Sequence, residues 1–423
     1  MKITRDSLKN IIIEQKEVFL SRSFIKRNYK FEKNVNYCFV GIRRAGKSYL
    51  ILQQIHNLLK KGIEYKQIVY VNFEDERLIE FKTEDLNLIL EIALELSGQK
   101  KEPYIFLDEI QNISNWEKFV RRLADMKYHI SITGSNSKML SREIATTLGG
   151  RFMIQNVFPY SFNEYLLARE ISNISNISEL TTRKRAQIIQ EYSSFVKYGA
   201  FPELVEITAK RDFLNSVYQS IYLGDIITRN KITNDFAIRL ILKKIAESVM
   251  TPLSFTRLTN ILKSTGEAIG KSTVIKYVGF IKDSFMLFTI QNYAAKLLDK
   301  ETSPKYYFID TGILGLFLLN GETSQLENLI AVELKRRFGV ENIFYYSKNE
   351  EIDFYVPEEN LAIQVCFDLY FDDNTFKRET NALVKFAKYK TETKCLIITN
   401  STEETLEIDG IKIDVLPAWK WIL

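Results

Sequence analysis

The sequence predicts an α/β fold in which helices cover a parallel sheet, followed by a helical segment and a second region of mixed helices and strands. Five short apolar runs, separated by segments with helical periodicity, indicate the sheet. Because each run is apolar at consecutive positions, both faces of its strand are expected to be buried, as in parallel sheets. The runs are Tyr37–Val40, Ile68–Phe73, Tyr104–Glu109, Ile130–Ser135 and Arg151–Phe158.

The length and composition are those of a multidomain globular protein. The 423 residues are 46% hydrophobic and 26% charged, and at about 150 residues per domain they suggest roughly two to four domains. No apolar run reaches the roughly 18 residues that cross a bilayer, and the first ten residues lack the apolar core of a secretory signal. We therefore expect a cytoplasmic protein without membrane contact.

The net charge and the small numbers of cysteines and histidines limit the kinds of functional site that the chain can form. The net charge of +5 permits contact with nucleic acid without requiring it. Cys38, Cys366 and Cys395 are too far apart for a disulfide framework or a zinc cluster, and buried thiols are expected. With two histidines in the chain, catalysis that depends on several histidines is excluded.

The patterns divide the chain into four predicted domains. Residues 1–158 contain the strand-and-helix alternation, and residues 159–245 have helical periodicity. Residues 246–300 form a small third unit, and residues 301–423 return to mixed strands and helices.

The stretch GIRRAGKS, Gly41–Ser48, matches the phosphate-binding pattern G-x-x-x-x-G-K-[ST] between an apolar strand and an apolar helix. The two glycines let backbone amides approach phosphate oxygens, and the following helix directs its amino terminus at the same anion. Lys47 is expected to bridge the β- and γ-phosphates of ATP, and Ser48 to ligate Mg²⁺. The predicted nucleotide-binding residues are Gly41, Arg43, Arg44, Ala45, Gly46, Lys47, Ser48 and Tyr49. For Arg43 and Arg44, a position facing a partner subunit or solvent is an equal alternative.

Two acids end the strand YIFLDE. Asp108 is predicted to hold the Mg²⁺ shell, and Glu109 to polarise the attacking water as general base. Both would lie near the phosphate loop, because open parallel sheets bind ligands at the carboxyl ends of their strands.

The strand in the stretch SITGSNSKML also ends in polar residues. A side chain here would lie between the two motif strands and hydrogen-bond the γ-phosphate or the attacking water. Thr133, Ser135 and Asn136 are the candidates, and the sequence does not choose among them; Asn136 is included in the predicted catalytic set.

Several motifs in a fixed order resemble a widespread prokaryotic ATPase family of the AAA+ superfamily, related to the STAND and archaeal ATPase branches. They are GIRRAGKS, FLDEIQ, TGSNSKMLSREIATTLGGR, FPYSFNEYL, YGAFPELV, YLGDIITRN, IDTGIL and EIDF. The resemblance implies an AAA+ module, a helical lid, a winged-helix-like part and a restriction-endonuclease-like part. It also implies that Arg151 or Arg142 acts as an arginine finger, in trans if the chain forms a homo-oligomer.

The third unit has a winged-helix layout. Ser254–Lys263 reads as one helix, a second begins near Lys271, and a β-rich segment follows. Lys271, Lys276 and Lys282 lie on or near the solvent side and could meet phosphates of DNA, although a solvated lysine face explains them equally well.

The last unit departs from the nuclease pattern that the resemblance implies. Asp353 matches the first metal-binding acid, and Glu333 could add another, but Gln364 and Cys366 replace the second acid and the lysine. We expect a nuclease-like domain without efficient cleavage, unless a lysine from elsewhere, such as Lys377, restores the charge.

The predicted function is therefore Mg²⁺-dependent ATP binding and hydrolysis coupled to conformational change and to DNA binding. Two alternatives stay open at this point. One is a STAND-like switch that binds ATP to license assembly with little turnover, and the other is an ATP-gated DNA endonuclease.

Overall fold

The computed structural model describes residues 3–98, 101–140, 146–171, 180–267, 269–296, 300 and 302–423. They form two compact units, Met1–Phe158 and Pro159–Leu423. Every helix in these ranges is too short or too polar to cross a bilayer. Cys38, Cys366 and Cys395 are buried free thiols, as predicted.

The first unit contains a five-stranded sheet in the order β2-β3-β4-β1-β5, and every neighbouring pair is parallel. This confirms the predicted α/β fold. The strands are β1 (Asn36–Val40), β2 (Ile68–Asn72), β3 (Tyr104–Asp108), β4 (His129–Gly134) and β5 (Phe152–Asn156).

The order of the strands brings the residues of the predicted nucleotide site to one edge of the sheet. β4 lies between β1 and β3, with Val40 opposite Gly134 and Leu107 opposite Ile132. The phosphate loop after β1, the acids at the end of β3 and the polar end of β4 therefore meet at one edge of the sheet.

Helices cover this sheet on both faces. They are α1 (Arg5–Leu20), α2 (Lys47–Lys60), α3 (Leu86–Ser97) and α4 (Trp116–Asp125). The amphipathic helix α1 is capped by Thr4, whose side chain accepts from the Ser7 amide. Its Gln15 side chain accepts from the Asn72 amide at 2.9 Å and donates to the Asn72 carbonyl at 3.2 Å. Helix α1 thus satisfies backbone groups on the edge strand β2.

The second unit begins with helices, as the periodicity predicts. They are α5 (Phe162–Ala168), α6 (Thr182–Tyr198), α7 (Lys210–Gln219), α8 (Asp235–Glu247), α9 (Phe255–Ser264) and α10 (Lys271–Asp283). A π-helix, Ser220–Thr228, continues α7 directly. Such wide turns are rare and their hydrogen bonds are less favourable than those of an α-helix.

An eight-stranded mixed sheet follows in the order β12-β13-β11-β10-β9-β8-β6-β7. Its strands are β6 (Leu287–Asn292), β7 (Lys305–Phe308), β8 (Phe344–Ser347), β9 (Glu351–Val356), β10 (Leu361–Val365), β11 (Lys394–Thr399), β12 (Glu404–Ile408) and β13 (Ile411–Pro417). The accompanying helices are α11 (Thr311–Gly315), α12 (Glu322–Phe338), α13 (Asp373–Tyr389) and α14 (Ala418–Trp421).

Strand β6 belongs to two pairings. It forms an antiparallel pair with β7, Leu287 opposite Phe308, and a parallel pair with β8, Gln291 opposite Phe344. The helix pair α9 and α10 therefore leads into a strand that is part of the large sheet, and the predicted division at residue 300 falls between two paired strands.

Asp310 links the helical part of this unit to the end of β7. Its buried carboxylate caps α11 by accepting from the amides of Gly312 at 2.9 Å and Ile313 at 3.1 Å. It also accepts from the Ala200 amide at 2.7 Å. Burial raises the pKa of Asp310 to about 6, although the three backbone donors oppose the shift.

Candidate active site

The phosphate loop connects β1 to α2 at the carboxyl edge of the sheet. Gly41 begins it where a side chain has no room, because a Cβ there would lie 2.2 Å from the Val157 carbonyl oxygen. Gly46 has φ +92°, in the left-handed region that glycine tolerates, and directly precedes α2. Both glycines of the motif are thus required by the backbone path.

Lys47 is the buried cation of the site, with 4% of its surface exposed. Its Nζ donates to the carbonyls of Gly41 at 3.2 Å and Ile42 at 3.1 Å. It lies 3.4 Å from Oε1 of Glu109. The two motifs predicted from separate stretches of sequence therefore meet through this ion pair.

Asp108 ends β3 and is 2% exposed. It accepts from the Tyr70 hydroxyl at 2.7 Å and from the Thr133 hydroxyl. Burial raises the pKa of Asp108, and the neighbouring Glu109 carboxylate adds to this. Hydrogen bonds from Thr133, Tyr70 and Ser48 act in the opposite direction.

Glu109 has a left-handed backbone, with φ +51° and ψ +43°. Its amide donates to the Thr133 hydroxyl at 2.8 Å, which fixes this turn against β4. Burial alone would raise the pKa of Glu109, but the Lys47 ammonium and the hydrogen bonds from Gln111 and Ser135 hold it below its usual value. The adjacent acids therefore have pKa values displaced in opposite directions.

The end of β4 reaches these acids. Thr133 contacts Asp108 through its hydroxyl, and Ser135 hydrogen-bonds Glu109. Asn136 is buried one residue further on, and its carbonyl accepts from the Met139 amide at 3.1 Å. Thr133 and Ser135 thus both contact the acid pair.

Gln111, which follows Glu109 by two residues, is not among the residues predicted from the sequence. Its amide nitrogen donates to Glu109 and, at 3.3 Å, to the Ser135 hydroxyl. Its buried Oε1 has no hydrogen-bond partner. An acceptor left open beside the candidate base is placed to receive a hydrogen from a bound molecule.

Arg27 is a second residue that no motif indicates. It is 3% exposed and donates to the Ala45 carbonyl in the phosphate loop and to the Phe158 carbonyl, each at 3.0 Å. Its own backbone is paired with the Gln53 side chain on α2. Arg27 therefore connects the phosphate loop to Phe158, the last residue of the first unit.

The residues fit a magnesium ion. The Ser48 hydroxyl and the Asp108 carboxylate are within hydrogen-bond contact, and hard oxygens of this kind are what Mg²⁺ prefers. A site with two protein ligands leaves the other coordination positions to phosphate oxygens and water, as is usual for Mg²⁺ with nucleotides.

The structure does not bring Arg151 to the phosphate loop of its own chain. Arg151 precedes β5, where Asn36 pairs with Phe152, so it lies at the amino edge of the sheet, opposite Lys47. There it pairs with Asp125 at the end of α4. Arg142 lies outside the described residues.

The variable positions of the loop differ in burial, with Ile42 and Ala45 buried and Arg44 exposed. Arg43 pairs with Glu74 at 3.2 Å, while Arg44 and Tyr49 are exposed. Ala45 is buried and contributes its carbonyl to the Arg27 contact. These side chains stay predicted nucleotide contacts.

Two regions of the chain match described protein families. Residues 33–166 match the AAA domain family, and residues 189–324 match a domain of unknown function (DUF8612). The first match spans the sheet and the phosphate loop described above.

Relatives extend the similarity over the whole chain. The uncharacterized protein MJ1544 of Methanocaldococcus jannaschii is 33% identical, covering 98% of this chain and 94% of the relative. An uncharacterized protein of Haemophilus influenzae is 30% identical, covering 90% and 92%. Among solved structures, the Walker-type ATPase PABY2304 of Pyrococcus abyssi is 13% identical with a TM-score of 0.43, covering 74% of this chain and 95% of that one.

Proposed function

Because the chain belongs to the family of AAA-domain proteins that includes its M. jannaschii and H. influenzae relatives, we propose that it hydrolyses ATP to ADP and phosphate with Mg²⁺. The observation that carries this proposal is the buried pair of Lys47 and Glu109, 3.4 Å apart, at the mouth of a phosphate-binding loop. It places a phosphate-binding cation and a candidate base in one small volume.

The chain's own residues bind the triphosphate. The backbone amides that follow Gly46, at the amino terminus of α2, donate hydrogen bonds to the phosphates. The positive end of the helix dipole attracts the negative charge of the phosphates. The Lys47 ammonium exchanges the Gly41 and Ile42 carbonyls for β- and γ-phosphate oxygens. Ser48 and Asp108 would hold Mg²⁺, which would supply positive charge to offset the charge of the phosphate oxygens.

Glu109 acts as the base toward water. Its lowered pKa keeps it ionised at neutral pH, so that it can accept a hydrogen bond from the attacking water and orient it to the γ-phosphate. Gln111 and Ser135 hold the Glu109 carboxylate in place. The open acceptor of Gln111 lies where the second hydrogen of that water can be received.

Phosphate release from purified protein tests this function. Glu109→Gln should lower the rate by about 10²-fold or more while ATP still binds, and Lys47→Ala should lose ATP binding. Glu117→Gln, the same change on helix α4, is the matched control and should keep the wild-type rate. ATP binding without phosphate release by the wild type would contradict hydrolysis and favour an assembly switch.

We also propose that Arg151 acts on the site of a neighbouring copy of the chain. Its position at the amino edge of the sheet supports this, since its own phosphate loop lies at the opposite edge. Turnover per subunit should then rise with protein concentration and fall in Arg151→Ala. Mixing Arg151→Ala with Glu109→Gln should restore part of the activity, because some interfaces regain both groups; no restoration would contradict a role in trans.

DNA is the proposed partner of the second unit. Lys271 and Lys276 are exposed on α10, the second helix of the winged-helix-like pair, and Lys282 at its end donates to Thr289 on β6 at 3.2 Å. Changing Lys271 and Lys276 together to Ala should weaken DNA binding and reduce its salt dependence. The same double change at Lys60 and Lys61, exposed on and after α2, is the control, and equal weakening by both pairs would contradict a specific surface.

A further inference from the structure

A lysine lies inside the second unit among three acids. Lys305 on β7 is fully buried, with 0% exposure. Its Nζ lies 3.3 Å from Oδ1 of Asp353, 3.3 Å from Oε1 of Glu351 and 3.8 Å from Oε1 of Glu327. Asp353 and Glu351 belong to β9 and Glu327 to α12, so three elements meet at this ammonium.

The acids outnumber the base. The Tyr307 hydroxyl donates to Oε1 of Glu327 at 2.7 Å, but the buried Oε2 of Glu327 has no hydrogen-bond partner. Burial, with the nearby Asp353 carboxylate, raises the pKa of Glu327 to about 8. The cluster therefore holds more acceptor oxygen than its single ammonium satisfies.

The side chain predicted to replace the second metal-binding acid is already engaged. Oε1 of Gln364 accepts from the Asp353 amide at 2.8 Å. Its amide group donates to the Glu351 carbonyl at 3.2 Å and to Glu379 at 2.9 Å. The second oxygen of Asp353 accepts from the Val365 amide at 3.0 Å. Oxygens that face a metal in a nuclease site are committed to protein donors here.

We propose that the Lys305 ammonium takes the position that a divalent cation would occupy among Asp353, Glu351 and Glu327, so that the second unit carries a built-in cation in place of a catalytic metal. The acid oxygens stand 3.3 to 3.8 Å from the Lys305 nitrogen, which is ammonium spacing rather than the 2.0–2.6 Å of Mg²⁺ or Ca²⁺. With Lys305 in place, and within the ranges that the structure describes, no group of three or more His, Cys, Asp or Glu residues is arranged to hold a metal ion.

Lys305 also supplies the positive charge that Cys366 cannot supply at the lysine position of the nuclease pattern. Cys366 is buried at the end of β10, and Lys377 is exposed on α13. The positive charge of the cluster comes instead from β7, 48 residues before Asp353. Glu333, named from the sequence as an added acid, pairs with Arg336 and Arg337, and Glu327 is the residue of α12 that joins the cluster.

The test replaces the ammonium with an uncharged side chain of similar length. In Lys305→Met the three acids face one another without a cation, and added Mn²⁺ should bind between them. The melting temperature of the full-length variant should rise by at least about 3 °C in millimolar MnCl₂ over EDTA. The wild type and Lys335→Met, a change at a lysine of α12 that lies over the Phe288 ring, should show no such rise.

A folded Lys305→Met variant that does not respond to Mn²⁺ would overturn the proposal. If the variant does not fold in EDTA, recovery of folded protein on refolding with MnCl₂ supports the proposal, and failure to recover overturns it. The wild type gives an independent test. If Mn²⁺ raises its melting temperature and Asp353→Asn removes that rise, the acids bind metal while Lys305 is in place, and the proposal is overturned.

Discussion

The Tyr70 hydroxyl donates a 2.7 Å hydrogen bond to Oδ2 of Asp108, across neighbouring strands of the first sheet. The Tyr70 ring stacks on Phe19 of α1 at a centroid distance of 3.9 Å. The amino-terminal helix is thus connected to the candidate magnesium ligand through two side chains. None of these contacts belongs to a sequence motif.

We predict that Tyr70→Phe lowers the free energy of unfolding by about 2 kcal/mol, since a buried carboxylate loses one of its donors. Urea denaturation measures this loss. Tyr104→Phe, on the neighbouring strand with its ring stacked on His129, is the control and should cost less. Equal losses for both variants would show that the Asp108 bond contributes little.

The left-handed backbone of Glu109 yields an unusual order of stabilities. Glu109→Gly should be more stable than Glu109→Ala by about 1 kcal/mol, because only glycine is free of strain at φ +51°. At Lys118, exposed in α4, the same two substitutions should rank in the usual order, with alanine more stable by about 1 kcal/mol. Alanine ranking above glycine at both positions would contradict the left-handed conformation.

Gln111 should position water rather than bind nucleotide. Gln111→Met removes the open acceptor and the donor to Glu109, so kcat should fall by about 10-fold or more, within the range for groups that support a general base. The KM for ATP should stay near the wild-type value, because Gln111 lies beside the base rather than the phosphate loop. A raised KM with unchanged kcat would place Gln111 in substrate binding instead.

Asp310 gives a pH dependence with a definite sign. Its folded pKa of about 6 exceeds the model-compound value of 3.8, so its contribution to stability is complete at low pH and is lost as the pH rises to about 6. The unfolding free energy of wild type minus that of Asp310→Asn should therefore decrease from about pH 4 to 6 and level off above. A difference that grows with pH would mean that the three backbone donors stabilise the carboxylate more than burial destabilises it.

The sequence predicted those parts of the site that depend on local pattern. The phosphate loop, the acid pair and the polar end of β4 each follow an apolar strand. Because the carboxyl ends of parallel strands lie at the same edge of a sheet, the pattern alone predicts that these residues lie close together. The contacts that Thr133 and Ser135 make with the acid pair depend on the position of β4 between β1 and β3.

The rest depends on contacts between residues that are distant in the chain. Arg27 reaches Phe158 across 131 positions, and Lys305 reaches Asp353 across 48. The residues around Arg27 and around Lys305 show no pattern that distinguishes a side chain buried against acids or carbonyls from a charge on the solvated surface. Arg151 shows the converse case, because the resemblance named the residue and only the strand direction showed which edge of the sheet it occupies.

Strand β6 has a mechanical consequence for the second unit. It is bonded to β7 on one side and to β8 on the other, and it follows directly after the helix that carries Lys271 and Lys276. Because three residues separate the helix from β6, we expect a displacement of the eight-stranded sheet to move the helix with it. Shortening the chain to end at residue 300 would remove both β7 and β8, and would leave both edges of β6 unpaired and prone to pair with other chains.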